Sequence, residues 1–164
     1  MSSIFYSGRR RRRLVVGVKQ GLREVRAQLA QLNHEVSGRA GLKDVDLDCL
    51  DLINAHGPLG PSALARRAGL HPATVTGILD RLQRGGWITR ERDPEASDRR
   101  AVVVRASPER NAELFRLYSG MSAAMDEICA DYDERELQLI VDFLHRTATA
   151  SRTATEDLAG GRGV

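Results

Sequence analysis

The chain has 164 residues, 41% of them hydrophobic and 29% charged, with a formal net charge of +3. That length supports one domain with a real core, and the composition excludes wholesale disorder. No apolar run approaches the ~20 residues that a membrane span needs. After the basic N-terminus, residues 14–18 are too short an apolar stretch for a secretory signal, so the chain reads as soluble and cytoplasmic, with no membrane partner.

Where the charge sits is more telling than its total. Residues 60–105 hold nine Lys/Arg against five Asp/Glu, a local +4, whereas residues 111–146 hold three Arg against eight acids, a local −5. A further basic run, Arg9 to Arg13, lies near the N-terminus. This asymmetry points to an anionic partner for the middle of the chain. Cys49 and Cys129, 80 positions apart and in no CxxC pattern, read as reduced thiols.

In chain order, residues 1–8 have no periodicity and read as a loose arm. From Leu14, apolar residues recur at Val18, Leu22, Val25, Leu29, Leu32 and Val36, a near-heptad helical seam. Gly17 and Gly21 weaken its first turns by roughly 1 kcal/mol each relative to Ala. The seam fits either an intrachain core or a dimer interface. Residues 38–43 break it, and a second helix over 44–56 turns Val45, Leu47, Leu50 and Ile53 inward. The Gly57-Pro58-Leu59-Gly60-Pro61 connector leads to a short helix over 62–68, ended by Gly69. His71-Pro72 opens the next helix, with Val75, Ile78, Leu79 and Leu82 as its buried stripe and Gly85-Gly86 as its stop. Residues 87–92 alternate as a strand, 93–98 are turn chemistry, and 101–105 form a second strand. Ser107-Pro108 starts a long helix to about residue 131, with Leu114, Leu117, Met121, Met125 and Ile128 on one face. A last helix begins at Asp133-Glu134, and from Thr147 the chain reads as a disordered tail.

A short helix, a turn, a longer helix and a basic hairpin together can place one helix in a DNA major groove and a wing beside it. On the second helix, His71, Ala73, Thr74, Thr76, Gly77, Asp80 and Arg81 face away from the apolar stripe. Small and hydroxyl-bearing residues at a helix start allow close approach to base edges, and the backbone N–H groups there attract phosphate. In isolation a helix of this composition is more often an ordinary solvated face, and the hairpin that follows it reverses that reading. In the hairpin, Arg92, Arg99 and Arg100 can enter a narrow minor groove, and Asp98 can orient Arg100. The bland counterpart is a self-neutralising loop.

The stretch LARRAGLHPATVTGILDRLQRGGWITRERDPEASDRRAVVVRAS resembles the winged helix-turn-helix of the multiple antibiotic resistance regulator (MarR) family. DRRAVVV, Asp98 to Val104, is similar to that family's D-x-R-x-x-x-V wing pattern, and GILDRLQRGGWITR to the end of its recognition helix and first wing strand. The order of flanking helices extends the resemblance over residues 14–146. Here the wing is slightly longer through Glu95-Ala96, and Gly77 stands where a larger residue is often found.

The resemblance implies a homodimer built from N- and C-terminal helices, with recognition helices in consecutive major grooves of a pseudo-palindrome and wings in the flanking minor grooves. Thr74, Thr76 and Arg81 would then face bases or phosphates, and Arg100, with Arg99, the minor groove. Many members bind a small, often aromatic or phenolic, molecule between the dimer helices and the winged domain. By position, Leu22, Val25, Leu29, His34, Cys49 and Ile53 would line such an effector cleft.

No metal or cofactor site and no catalytic centre emerge. His34, His56, His71 and His145 have no ligand spacing among themselves or with the cysteines, no nucleophile motif surrounds Ser62, and no glycine-rich phosphate loop exists. Acidic neighbours of Cys49 and Cys129 disfavour redox sensing. The expected fold is mainly α with a small β-hairpin wing (α+β), a winged helix-turn-helix with N- and C-terminal dimerisation helices. Its parts would be a basic arm (1–13), a helical dimerisation region (14–43 and 107–146), a DNA-binding domain (44–106) and a flexible tail (147–164). The expected function is a sequence-specific transcriptional regulator, a repressor acting as a homodimer on double-stranded DNA. The alternatives are a winged-helix interaction module and a non-specific DNA-binding protein.

Overall fold

The computed structural model describes residues 2–92 and 101–160, with the side chains of residues 2–7 and 159 left aside. Helices and one two-stranded hairpin account for it, in agreement with the expected α+β class. The chain divides into two compact units, one ending at Leu117 and the other starting at Tyr118.

The first unit opens with α1 (Ser2–Ala40). The expected loose arm is therefore helical. Residues 2–16 contain no proline, and arginine is a good helix former, so the single Gly8 does not stop propagation. Gly41, at φ +69, ends the helix as Leu42 N–H donates to the Ser37 carbonyl at 2.8 Å. Of the predicted seam, Val36 is buried and Leu22 and Leu32 are half-buried, while Leu14, Val18, Val25 and Leu29 remain exposed.

Helix α2 (Asp44–His56) carries Asp44 and Asp46 in its first turn, where carboxylates complement the helix dipole. It buries Asp46, Leu47, Cys49, Leu50 and Ile53. Helix α3 (Pro61–Ala68) begins with proline at its first position and ends on Gly69 in the left-handed region at φ +65. Helix α4 (Pro72–Arg84) is capped by His71, whose Nδ1 accepts from the Ala73 N–H at 3.2 Å. Its Val75, Ile78, Leu79 and Leu82 are buried, matching the predicted stripe.

Strands β1 (Ile88–Arg92) and β2 (Val102–Ala106) pair antiparallel, with Ile88 opposite Ala106 and Arg92 opposite Val102. Leu59 adds a short bridge to Val104, with backbone bonds of 3.1 and 2.8 Å in the two directions. The 57–61 connector thus ties the hairpin stem to the turn before α3. Gly85 is required at the entry to the hairpin, because a Cβ there would lie 2.7 Å from Trp87 Cδ1. Trp87 is buried between the end of α4 and the start of α5 (Pro108–Leu117), its ring covered by the Arg110 guanidinium at 4.2 Å.

The second unit holds α6 (Ser119–Ala130) and α7 (Glu134–Gly160). The single helix expected from residue 108 to 131 is interrupted at Tyr118, just before the weak helix formers Ser119 and Gly120. A reciprocal capping box starts α7: Asp133 Oδ1 accepts from Glu136 N–H at 2.8 Å, and Glu136 Oε2 from Asp133 N–H at 3.0 Å. The tail expected to be disordered from Thr147 is helical to Gly160. Alanine sustains the helix, and Thr147, Thr153 and Thr155 satisfy their hydroxyls on carbonyls one turn back. On these helices Met121, Met125, Ile128, Ile140 and Leu144 are exposed.

Candidate nucleic-acid interface

Because its stripe of Val75, Ile78, Leu79 and Leu82 turns inward, α4 must present its other face to solvent. His71, Ala73, Thr74 and Thr76 are exposed there and Gly77 is half-exposed. The structure brings these predicted residues together over two turns. Thr76 Oγ1 donates to the Pro72 carbonyl at 3.1 Å, which leaves the hydroxyl oxygen able to accept a further bond.

Arg81 departs from this group. It was expected to reach bases or phosphates, but its guanidinium folds back onto Asp46 of α2. Nε donates to Oδ2 at 3.0 Å and Nη2 to Oδ1 at 2.6 Å. Asp46 is 2% exposed. A bidentate charge-assisted pair is the arrangement that makes a buried carboxylate tolerable. The hydrogen bond to Asp46, ahead of the opposing effect of burial, holds the Arg81 pKa above its ordinary value. Sequence reading missed this pair, although Asp46, Leu50 and Ile53 share helical spacing and so place a carboxylate on an apolar stripe.

Other cations of the basic segment are also paired. Arg90 Nη2 lies 2.5 Å from Asp80 Oδ1 and joins the hairpin to α4, and Arg105 Nε lies 3.3 Å from Glu91 Oε2 across the strands. Arg66 and Arg67 at the end of α3 and Arg84 at the end of α4 are exposed. Arg92 is exposed at the far end of the described stem. Asp98, Arg99 and Arg100 lie outside the described residues. The Arg9 to Arg13 run is exposed around α1.

The residues expected in an effector cleft separate into three places. Leu22, Val25 and Leu29 line an open groove of about 530 Å³ between α1 and α2, with Arg26, Asp44 and Asp48. Burial and the charge of Asp44 push the Asp48 carboxyl pKa up. His34 lies in a neighbouring groove of similar size, where its Nδ1 meets Asp44 Oδ2 at 2.9 Å; Ser37 Oγ also donates to Asp44. The bonds from Ser37 and His34 lower the Asp44 pKa, and the bond to Asp44 raises that of His34. Cys49 and Ile53, at 0 and 2% exposure, are core residues rather than cleft lining. Burial first, and Asp48 and Asp46 after it, push the Cys49 thiol up to about 11. Among the described residues no group of His, Cys, Asp and Glu is placed to hold a metal ion, and no helix is long and apolar enough to cross a membrane.

Comparison with known proteins places this geometry in a family. The MarR family model matches residues 42–102, which span α2 to the start of β2. The HTH-type transcriptional regulator YcgE of Bacillus subtilis is 33% identical over 128 residues, covering 77% of this chain and 82% of that one. The HTH-type transcriptional repressor YetL of the same organism is 30% identical over 86 residues, 52% of this chain and 50% of its own. In fold, the chain is similar to a MarR family protein from Bacillus stearothermophilus, with a TM-score of 0.64 and 18% identity over 85% of this chain and 96% of that one. The exposed face of α4, the hairpin beside it and these matches agree: the chain belongs to the MarR family of helix-turn-helix transcriptional regulators, which bind DNA and are not enzymes.

Proposed function

We propose that the protein is a cytoplasmic homodimeric repressor of a pseudo-palindromic operator, released by a small molecule. The observation that carries the reading is the outward face of α4, where His71, Ala73, Thr74, Thr76 and Gly77 form a small, hydroxyl-bearing surface beside a cationic hairpin stem ending in Arg92. Such a surface enters a major groove without steric conflict, and threonine contacts thymine methyls and base edges. Arg99 and Arg100, oriented by Asp98, are assigned to the flanking minor groove, where arginine is attracted by the enhanced negative potential.

Dimerisation is supported by the uncovered apolar seam of α1, with Leu14 63% and Val25 54% exposed. In water such a seam calls for a partner, and two-fold symmetry supplies an identical one. A dimer presents two α4 helices one helical turn of DNA apart. The groove beside Leu22, Val25 and Leu29 is the proposed effector site, and a small aromatic or phenolic molecule there would shift the spacing between the two reading heads. Repression is the direction named for YetL, a relative over half its length.

A mobility shift on DNA upstream of the protein's own gene, with random duplex as competitor at two salt concentrations, tests this reading. A discrete shift that resists competitor is expected. A protein that binds no duplex, yet sediments as a dimer, would be an interaction module instead. One whose shift random duplex abolishes would be a non-specific DNA binder.

A further inference from the structure

Arg81 lies in the last turn of α4, one turn beyond Gly77 and one before the end of the helix. Its side chain is 34% exposed, whereas that of Asp46 is 3% exposed. The exposed end of the pair therefore belongs to the helix that reads DNA, and its anchor belongs to α2. The path between them runs over Gly77: a Cβ at that position would lie 3.7 Å from Arg81 Nη1. That distance is ordinary contact, so alanine fits, but a longer side chain would cross the guanidinium's route. The glycine that the sequence sets at an outward position thus leaves room for Arg81 to reach Asp46.

We propose that Asp46 is a positioning residue for DNA reading: it draws the Arg81 charge off the outward face of α4, so that the helix meets DNA with its small, hydroxyl-bearing His71–Thr76 surface. This rests on α4 as the DNA-reading helix. A free arginine at this place would attract any phosphate and would prefer guanine through its bidentate fork. Bound to Asp46, the pair carries no net charge. Phosphate therefore gains nothing from it, and the Nε and Nη2 donors are occupied. The consequence is lower affinity for arbitrary DNA and greater dependence on the threonine contacts. The cation is withheld and the discrimination is left to the uncharged residues.

The salt dependence of binding to a random 30-base-pair duplex reads this directly, because each phosphate neutralised adds about 0.9 to the slope of log K against log salt. Asp46→Asn removes the charge that holds Arg81 and keeps the shape of the side chain. Its slope is expected to steepen by roughly 0.9, with random-duplex binding about fivefold tighter near 0.15 M salt. The paired substitution Asp46→Leu with Arg81→Met replaces the ion pair by apolar groups, an exchange that folds tolerate, and is expected to keep the wild-type slope. A role confined to structure would move neither slope. If Asp46→Asn leaves the slope unchanged, or if the double variant becomes shallower by roughly 0.9, Arg81 is not withheld and the inference falls. Circular dichroism checks the fold of each variant, and should Asp46→Asn unfold, Asp46→Leu, which frees Arg81 without burying an unpaired polar group, takes its place with the same steepening expected and the same unchanged slope overturning the inference. Wild-type protein that fails to bind duplex at 0.05 M salt would remove DNA reading itself, a result distinct from either slope.

Discussion

Helices α1 and α4 both carry regular apolar stripes, yet the two stripes meet different fates. In α4, Val75, Ile78 and Leu79 are each 1% exposed and Leu82 is fully buried, whereas in α1 Leu14, Val18, Val25 and Leu29 are 40% exposed or more. Periodicity states that a face is apolar, not what will cover it. The 13 residues of α4 are turned back on the core at both ends, by His71-Pro72 and by Gly85-Gly86. The 39 residues of α1 extend about 58 Å at 1.5 Å per residue, and its exposed apolar positions lie between Leu14 and Leu29. The α4 stripe is covered within the first unit, and most of the α1 seam stays exposed.

Substitutions can break or sharpen that contrast. The largest effect is expected at Trp87, where alanine removes the side chain that seals α4 to β1 and α5. About 3–5 kcal/mol of unfolding free energy should be lost, measured as a fall in the urea midpoint independent of protein concentration. Val25→Asp in α1 should behave oppositely. Monomer stability stays near wild type, while a carboxylate on the seam weakens self-association by about 2 kcal/mol, roughly thirtyfold in the dimer dissociation constant by sedimentation. A midpoint shift in Val25→Asp at every concentration would mean that α1 is covered within its own chain.

A smaller loss, about 1 kcal/mol, is expected for Arg110→Ala, which uncovers the Trp87 ring. Trp87 is the chain's single tryptophan, so its emission should shift to the red as the ring gains water. The smallest effect lies at the His34–Asp44 pair. Asp44 is held below its ordinary 3.8 by the hydrogen bonds from Ser37 and then His34, and His34 above its ordinary 6.5 by the bond to Asp44. For Asp44, the contribution is present above 3.8 and is lost as pH falls through its lowered value. For His34, it is present below 6.5 and is lost as pH rises through the raised value. The pair therefore stabilises between about pH 4 and 6.5. Wild type should lose a little stability from pH 6 to 8.5 that His34→Gln does not lose.

The reading head was legible in sequence because its signals are local. The 3- and 4-residue spacing of Val75, Ile78, Leu79 and Leu82, the proline and glycine at the ends of α3 and α4, and the alternation of residues 87–92 each act within a few positions. The partnership of Asp46 with Arg81, 35 positions apart, has no local pattern, and Arg81 was accordingly assigned to DNA from its place on the outward face and from the family resemblance. The two ends of the chain were misread for a different reason. Lack of periodicity suggested an arm and polar composition a tail, but a helix needs only propensity and satisfied backbone groups, which arginine, alanine and back-bonded threonine provide. The break at Tyr118 was hidden because the apolar spacing of Leu114, Leu117 and Met121 runs straight through it.

The bridge between Leu59 and Val104 also sets a clock. Val104 gives its N–H to the Leu59 carbonyl and accepts from the Leu59 N–H, and its side chain is fully buried. Those two amides can meet solvent deuterons only when the connector and the hairpin stem part together. They should therefore exchange at one shared rate, among the slowest in the molecule. Each amide then reports the lifetime of the hairpin's attachment to the helices beneath it.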